Sequence, residues 1–425
     1  MVDHDWLTEL RREFHRRPEP AWREFWTTCR VVDELERLGV DELYVGPEAL
    51  AADARMAVPD DDELETWFER AREAGAREDV LEQLEGGYTG AIAVVDCGPG
   101  PTVGLRVDID GLPILESDDA DVHHPAAEDF ASENEGYMHA CGHDGHATLG
   151  LGTLAAVKES DFSGTLKVFF QPAEEVVGGG KAIAESGHLN DVDYLFAVHL
   201  GLDHPTGEIV AGIDDFLAVK HLDVDITGAP AHAGAKPEEG RNAAQALATA
   251  VQNLYGISRH SDGATRVNAG KLEAGTASNI VPEHAHMECE VRGETTQLKD
   301  YMDERAAQVI HSAAEMHGCE ASIEVGGEAP SATSDQDLVD LVGAIADEHV
   351  DVDSLLERDA LGGSEDATFL MQAVQKRGGL ASYVGVGTDH PGGHHTSTFD
   401  VDERSLPIGV DVLSEAIRRV AAERP

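Results

Sequence analysis

Positive charge is what this sequence has least of for its size. Against 82 Asp and Glu there are only 31 Lys and Arg in 425 residues, a formal net charge of −51 at pH 7. Lysine is scarce, and arginine supplies most of the positive charge that is present. Binding to nucleic acid draws on basic groups that displace counterions, so that class of partner is excluded. Cysteine is sparse too. The five residues Cys29, Cys97, Cys141, Cys289 and Cys319 are odd in number and scattered, which excludes a disulfide framework and points to a reducing compartment. No apolar run reaches the length of a membrane span. The opening MVDHDWLTEL is acidic and lacks a basic region followed by an apolar stretch, so no secretory signal is expected. These absences point to a cytoplasmic protein with neither a membrane nor a nucleic-acid partner.

What is present fits a globular enzyme. The hydrophobic content is 41%, and a chain of this length is expected to form two domains. The acidic residues are spread between apolar-periodic segments instead of being gathered in a tail, so the charge reads as a folded, strongly acidic surface. Such a surface suits a halophilic cytosol, where salt screens self-repulsion.

Helical spacing of Trp6, Leu7, Leu10 and Phe14, and then of Phe25, Thr28, Val31, Val32, Leu35 and Leu38, predicts two N-terminal helices, the second closing at Gly39. Residues 51–87 read as a charged helical insert ending at Gly86-Gly87. The runs GAIAVVD, TVGLRVD, TLKVFF and DYLFAVH alternate with helical stretches such as 145–157. That pattern predicts an α/β domain with a central, mostly parallel sheet flanked by helices. From 216 to 327 the order becomes strand, helix, strand, strand, helix, strand, a ferredoxin-like α+β unit. Helices at 335–349, 365–374 and 402–421 and the strand ASYVGVG then resume the first pattern. The expected division is therefore 1–215 with 328–425 as one domain, and 216–327 inserted into it.

Five blocks carry candidate chemistry, each at the end of a predicted strand or the mouth of a helix, where an open α/β sheet places its binding crevice. MHACGHDGH sets Cys141 and His143 two residues apart, flanked by His139, Asp144 and His146. Thiolate and imidazole both bind zinc and its neighbours. FFQPAEE ends a buried run with two adjacent carboxylates, Glu174 and Glu175. One can hold a metal while the other serves as a general base. Such pairs are ordinary solvated surface in so acidic a chain, and only the buried strand before this one sets it apart. AVHLGL contributes His199, GTDHPGGHHTSTFD contributes His390, His394 and His395, and LRVDIDGLP contributes Asp108 and Asp110. Together they supply a donor set sufficient for two divalent cations. There is no HExxH, no GxSxG and no GxxxxGK[ST], and without a CxxC a redox role for Cys141 is disfavoured.

In this order the blocks HRRPEPAWREFWT, RVDIDGLP, MHACGHDGH, QPAEE, AVHLG, AHAGAKPEEGRNA, GTASNIVPE, GSEDAT and GHHTSTFDVDE resemble the aminoacylase/carboxypeptidase family of metallopeptidases. The resemblance is to its amidohydrolase branch, which holds hippurate hydrolases and auxin-conjugate hydrolases, and it covers nearly the whole chain. It implies hydrolysis of the amide bond of N-acyl or N-aroyl amino acids by a metal-activated water. The insert at 51–87 and GLASYVGVGT match the group within that branch that takes p-aminobenzoyl-glutamate-like substrates. By the same resemblance Cys141, His143, Glu175, His199 and His395 are the ligands of two divalent ions, Zn or Mn, and Glu174 is the catalytic base. Asp108 orients a ligand from behind. His232, in the inserted lid or dimerisation domain, contacts the scissile carbonyl, and Asn279 and Arg292 bind the substrate. HHTSTFD departs from the usual block and leaves His394 as an alternative to His395. Relatives imply a homodimer, or a hetero-oligomer with a related subunit. The rival readings are a general N-acyl-amino-acid deacylase or dipeptidase using the same site, and a non-catalytic binding subunit. The latter would lack the base or a ligand, and here all are present.

Overall fold

The computed structural model describes residues 2–390 and 392–425. The chain divides into two compact units, one comprising Met1–Asp215, Ala332–Leu361 and Asp366–Pro425, the other Phe216–Ser331 and Gly362–Glu365. No helix among the described residues is long and apolar enough to cross a membrane.

The first unit is built on an eight-stranded sheet. Its strands before the inserted unit are β1 (Glu42–Val45), β2 (Ala91–Asp96), β3 (Thr102–Asp108), β4 (Thr165–Gln171), β5 (Tyr194–Leu200) and β6 (Glu208–Asp214). The second unit holds β7 (Ala218–Thr227), β8 (Thr265–Ala274), β9 (His284–Gly293) and β10 (Glu320–Ala329). β11 (Ser354–Ala360) and β12 (Leu380–Val386) then return to the first. The large sheet runs β1-β2-β4-β3-β5-β12-β6-β11. β3 pairs in parallel with β4 and β5, β5 with β12, and β6 with β11. The β1–β2, β2–β4 and β6–β12 pairs are antiparallel, so the sheet is mostly parallel. From their second residue on, β3, β4 and β5 are buried, which is why they read as near-continuous apolar runs: helices cover both faces. The helix His143–Lys158 is buried along most of its length.

The second unit has the order β10-β7-β9-β8 with every pair antiparallel, the ferredoxin-like arrangement. Its helices Ala243–Leu254 and Thr296–Met316 close a core of Leu222, Val224, Ile226, Met287, Val291, Met302 and Ile310. In the 51–87 insert, the helix Asp61–Glu73 is capped by Asp60, whose side chain accepts from Glu63 N, and buries Leu64, Trp67 and Ala71.

The periodic pattern overlooked β1, β6 and β11. β1 and β11 are the sheet's edges: ELYV is only four residues long and neither it nor SLLERDA has a buried residue, so neither reads as a buried apolar run. β6, EIVAGID, is buried along its middle and as long as β3, β4 and β5, but acidic residues close both its ends.

Candidate metal centre

The carboxyl ends of β3, β4 and β5 lie side by side, with Asp108 opposite Gln171 in register. Asp108 closes β3, Glu174 and Glu175 follow β4, and His199 is the penultimate residue of β5. Cys141 and His143 flank Gly142, which precedes the helix His143–Lys158 with φ of 86°. That left-handed conformation suits glycine and lets both neighbours face one site. The helix start is fixed by Asp144, which accepts from Arg11 Nε at 2.8 Å and lies 2.7 Å from His15 Nδ1, all three buried.

The five expected ligands come together in overlapping groups. Donor atoms of Cys141, His143 and His199 lie within 4.8 Å of one another, as do those of Cys141, Glu175 and His395, and those of His143, Glu174 and Glu175. Cys141 Sγ is 3.6 Å from His199 Nε2. His143 Nε2 is 3.8 Å from Glu175 Oε1 and 3.9 Å from Glu174 Oε2. His395 Nε2 is 3.5 Å from Glu175 Oε2. Neighbouring ligands of a tetrahedral zinc ion, with bonds of roughly 2.0–2.3 Å, stand about 3.3–3.7 Å apart. The observed spacings fall in or just beyond that range. By contrast, in the trio of buried His15 and His123 with half-buried Glu116, the two rings lie 2.8 and 2.7 Å from the same Glu116 oxygen, the distance of hydrogen bonds.

Hydrogen bonds identify the atoms that face the centre. His143 Nδ1 lies 3.2 Å from Asp110 Oδ1, while its buried Nε2 has no hydrogen-bond partner. His199 Nδ1 is 2.7 Å from the Leu200 carbonyl and donates to it, which leaves the Nε2 lone pair toward Cys141. A carboxylate or carbonyl behind the imidazole fixes its tautomer as metal sites require. His394 differs: its Nε2 accepts from Leu202 N at 2.9 Å, so the neutral ring carries its proton on Nδ1, 3.6 Å from Cys141 Sγ. His395 Nε2 has no such competing bond and stands beside Glu175. Burial depresses His199 well below the ordinary histidine value, and His146 and His394 add to this. Burial also lowers His143, but Asp108 and Asp110 outweigh it and hold the ring well above its usual value. Carboxylates around that ring thus favour a cation there. An orphaned buried imidazole nitrogen, tautomers fixed from behind and a mixed S/N/O donor set fit divalent transition metals.

Asp108 makes its own bonds to His146 Nδ1 and, at 2.7 Å, to Arg106, and lies 3.6 Å from His143 Nε2. Asp110 does more for the ligands: besides His143 it accepts the amides of Glu174 and Glu175 at 3.1 and 3.0 Å. His146 is occupied at both nitrogens, its Nε2 by Leu200 N. Asp110 and His146 were visible as members of their blocks, but no local signal assigns them these partners. His139 is buried, with neither ring nitrogen hydrogen-bonded.

In the second unit His232 and Asn279 lie together, with Ala233 N donating to the Asn279 carbonyl at 3.0 Å and His232 bridged to Ile280. They are exposed. His232 Nδ1 accepts from the amides of Gly234 and Ala235, which leaves the ring proton on Nε2, free to donate. Arg292 is not near them. β9 begins at His284, opposite the end of β7 from which the His232 loop departs, and Arg292 is eight residues along, about 27 Å at the strand rise. There it forms a bidentate pair with Glu290 at 3.0 and 2.9 Å.

The family model described as Peptidase family M20/M25/M40 matches residues 104–419. The chain is 45% identical to an indole-3-acetyl-aspartic acid hydrolase of Enterobacter agglomerans, over 96% of this chain and 94% of the relative. It is 43% identical, with the same coverage, to a subunit of the p-aminobenzoyl-glutamate hydrolase of Escherichia coli K12. Among solved structures, an aminobenzoyl-glutamate utilization protein from Klebsiella pneumoniae superposes with a TM-score of 0.84 at 37% identity, covering 99% of this chain and 97% of that one. With the match running over three quarters of its length and two such relatives spanning nearly all of it, this chain is a hydrolase of peptidase family M20/M25/M40.

Proposed function

We propose that the protein is a metal-dependent amidohydrolase that releases an amino acid from an N-acyl or N-aroyl conjugate, with p-aminobenzoyl-glutamate-like compounds as its preferred class. The observation that carries this reading is the convergence of Cys141, His143, Glu175, His199 and His395 while Glu174 stands at the same centre. The named relatives act on conjugates of aspartate and glutamate, which supports an acidic amino acid as the departing group.

Cys141, His143, Glu175, His199 and His395 would hold two divalent cations, zinc or manganese. When bound, such ions polarise the amide carbonyl and acidify water. Glu174 takes the proton of the attacking water and passes it to the departing nitrogen. Asp110 keeps His143 in one tautomer and holds the amides of both glutamates. His232, with its proton on Nε2, donates to the carbonyl oxygen as it becomes negative, with Asn279 beside it. Arg292 pairs with the α-carboxylate in exchange for Glu290. Since His232 and Arg292 lie far apart within one unit, we assign them to different copies: the second unit serves as lid and dimerisation domain, and a second copy of the chain completes each site. The acidic surface and free cysteines support a cytoplasmic, high-salt setting.

The test is a substrate panel of p-aminobenzoyl-glutamate, hippurate, N-acetyl amino acids and dipeptides, run with Glu174→Gln. We expect kcat/KM to be highest for p-aminobenzoyl-glutamate. Glu174→Gln should keep its metal and lose roughly 10²–10⁴-fold in kcat. Equal rates across the panel would instead support the general deacylase or dipeptidase, and near-normal turnover by Glu174→Gln would remove Glu174 from the role.

A further inference from the structure

The segment that carries the two glutamates is held from behind by carboxylates at three consecutive amides. Ala173 N donates to Glu24 Oε1 at 2.8 Å, and the next two amides go to Asp110. Glu24 lies about 150 residues earlier, at the N-cap of the helix Phe25–Leu38, and is fully buried. Its other oxygen accepts from Thr89 Oγ1 at 2.6 Å. None of its contacts is with a donor atom of the centre, so it is neither ligand nor base.

The residue it holds is unusual. Ala173 has φ of 57°, in the left-handed region that residues with a Cβ occupy only when their surroundings impose it. The turn that follows closes on the same residue: Gly178 N and Gly179 N both reach the Ala173 carbonyl, and Val177 N reaches that of Glu174. Asp366 pins the far end through the amides of Gly179 and Gly180 at 3.1 and 2.7 Å. A Cβ at Gly179 would lie 1.8 Å from the Pro172 carbonyl oxygen, so the turn is too tight to absorb a shift by sliding. If Ala173 left the left-handed region, the chain would leave it in a new direction, and Glu174 and Glu175 would be carried with it.

We infer that Glu24 is a positioning residue: by holding the Ala173 amide it fixes the backbone that aims Glu174 and Glu175 at the centre. This rests on the reading of Glu174 as the base. The role depends on the reach of an acceptor oxygen and not on its charge, which two conservative variants separate. Glu24→Gln keeps an oxygen at the same reach without the charge. Glu24→Asp keeps the charge but withdraws the carboxylate by one carbon–carbon bond, about 1.5 Å.

Both variants are assayed as full-length protein for kcat, KM, thermal midpoint and Zn²⁺ affinity by chelator competition. Glu24→Gln is expected to stay within about threefold of the parent in kcat, and Glu24→Asp to lose roughly ten- to a hundredfold with little change in KM. Zinc affinity should fall in the Asp variant and hold in the Gln variant, with both proteins folded. A Glu24→Asp protein with parental kcat and zinc affinity overturns the inference, and so does a Glu24→Gln protein as impaired as Glu24→Asp. Glu174→Gln, run alongside, separates the two levels. If it is inactive while Glu24→Asp is normal, only the positioning role fails; if it turns over normally, the reading of the base fails.

Discussion

His394 and His395 are neighbours in sequence with opposite hydrogen-bonding. The first spends its Nε2 lone pair on Leu202 N, and the second presents Nε2 beside Glu175. His395→Ala should therefore lower bound divalent metal from about two ions per chain to about one, while His394→Gln keeps both, as measured by metal analysis after dialysis. Equal losses from both would return the ligand assignment to an open choice. At this scale the sequence shows which residue types stand at strand ends, because a buried apolar run closing on Asp, Glu or His is visible locally. It does not show which nitrogen of an imidazole is occupied. Nor does it show that Glu24, Asp110 and Ala173 meet, since those contacts join segments far apart in the chain.

Two helices meet in a buried charged network next to the centre. Arg11 and His15 on His4–His15 face Asp144 at the start of His143–Lys158, with Glu116 and Asp400 alongside. Burial and Arg11 oppose charging of His15, yet its bonds to Asp144 and Glu116 prevail and raise it to about 9. Burial likewise pushes Glu19 up to about 8, against the amides of Thr27 and Trp26. Burial works against Glu116 too, but bonds from His123 and His15 bring it down to about 2. A histidine raised above its unfolded value of about 6.5 stabilises the fold fully below that pH and loses the effect as pH climbs through 9. Glu19, protonated in the folded state to a higher pH than when unfolded, acts in the same direction. Glu116 contributes above about 4.5 and is lost as pH falls through 2. The urea midpoint should therefore decline between pH 6.5 and 9, and His15→Gln should flatten that decline. A midpoint constant over this range in the parent protein would count against the network. The two N-terminal helices were legible from their spacing; their ion-pair partners were not, because charge pairing over more than a hundred residues leaves no periodic trace.

The whole molecule carries −51 charges, and its arginines are largely engaged. Arg72 bridges Glu69 and Glu78, and Arg77 bridges Asp33, Glu36 and Asp79. Exposed pairs of this kind contribute little each, so the net repulsion is not cancelled locally. Raising salt from 0.1 to 1 M shortens the screening length from about 10 to 3 Å. The thermal midpoint should then rise by about 5 °C or more; a midpoint that falls with salt would contradict the high-salt setting. Fold class was legible at this scale, since the change from alternating strands and helices to a βαββαβ order is written in the periodicity. One consequence of the interrupted first unit concerns its making. β12 sits between β5 and β6 in the sheet, yet Leu380 leaves the ribosome 180 residues after Leu200, roughly ten to forty seconds later at ordinary rates of translation. The second unit, nearly continuous in sequence, can close during that delay. β5 and β6 must wait with bare edges, so a nascent chain stalled before residue 380 should be a client for chaperones that shield unpaired strands.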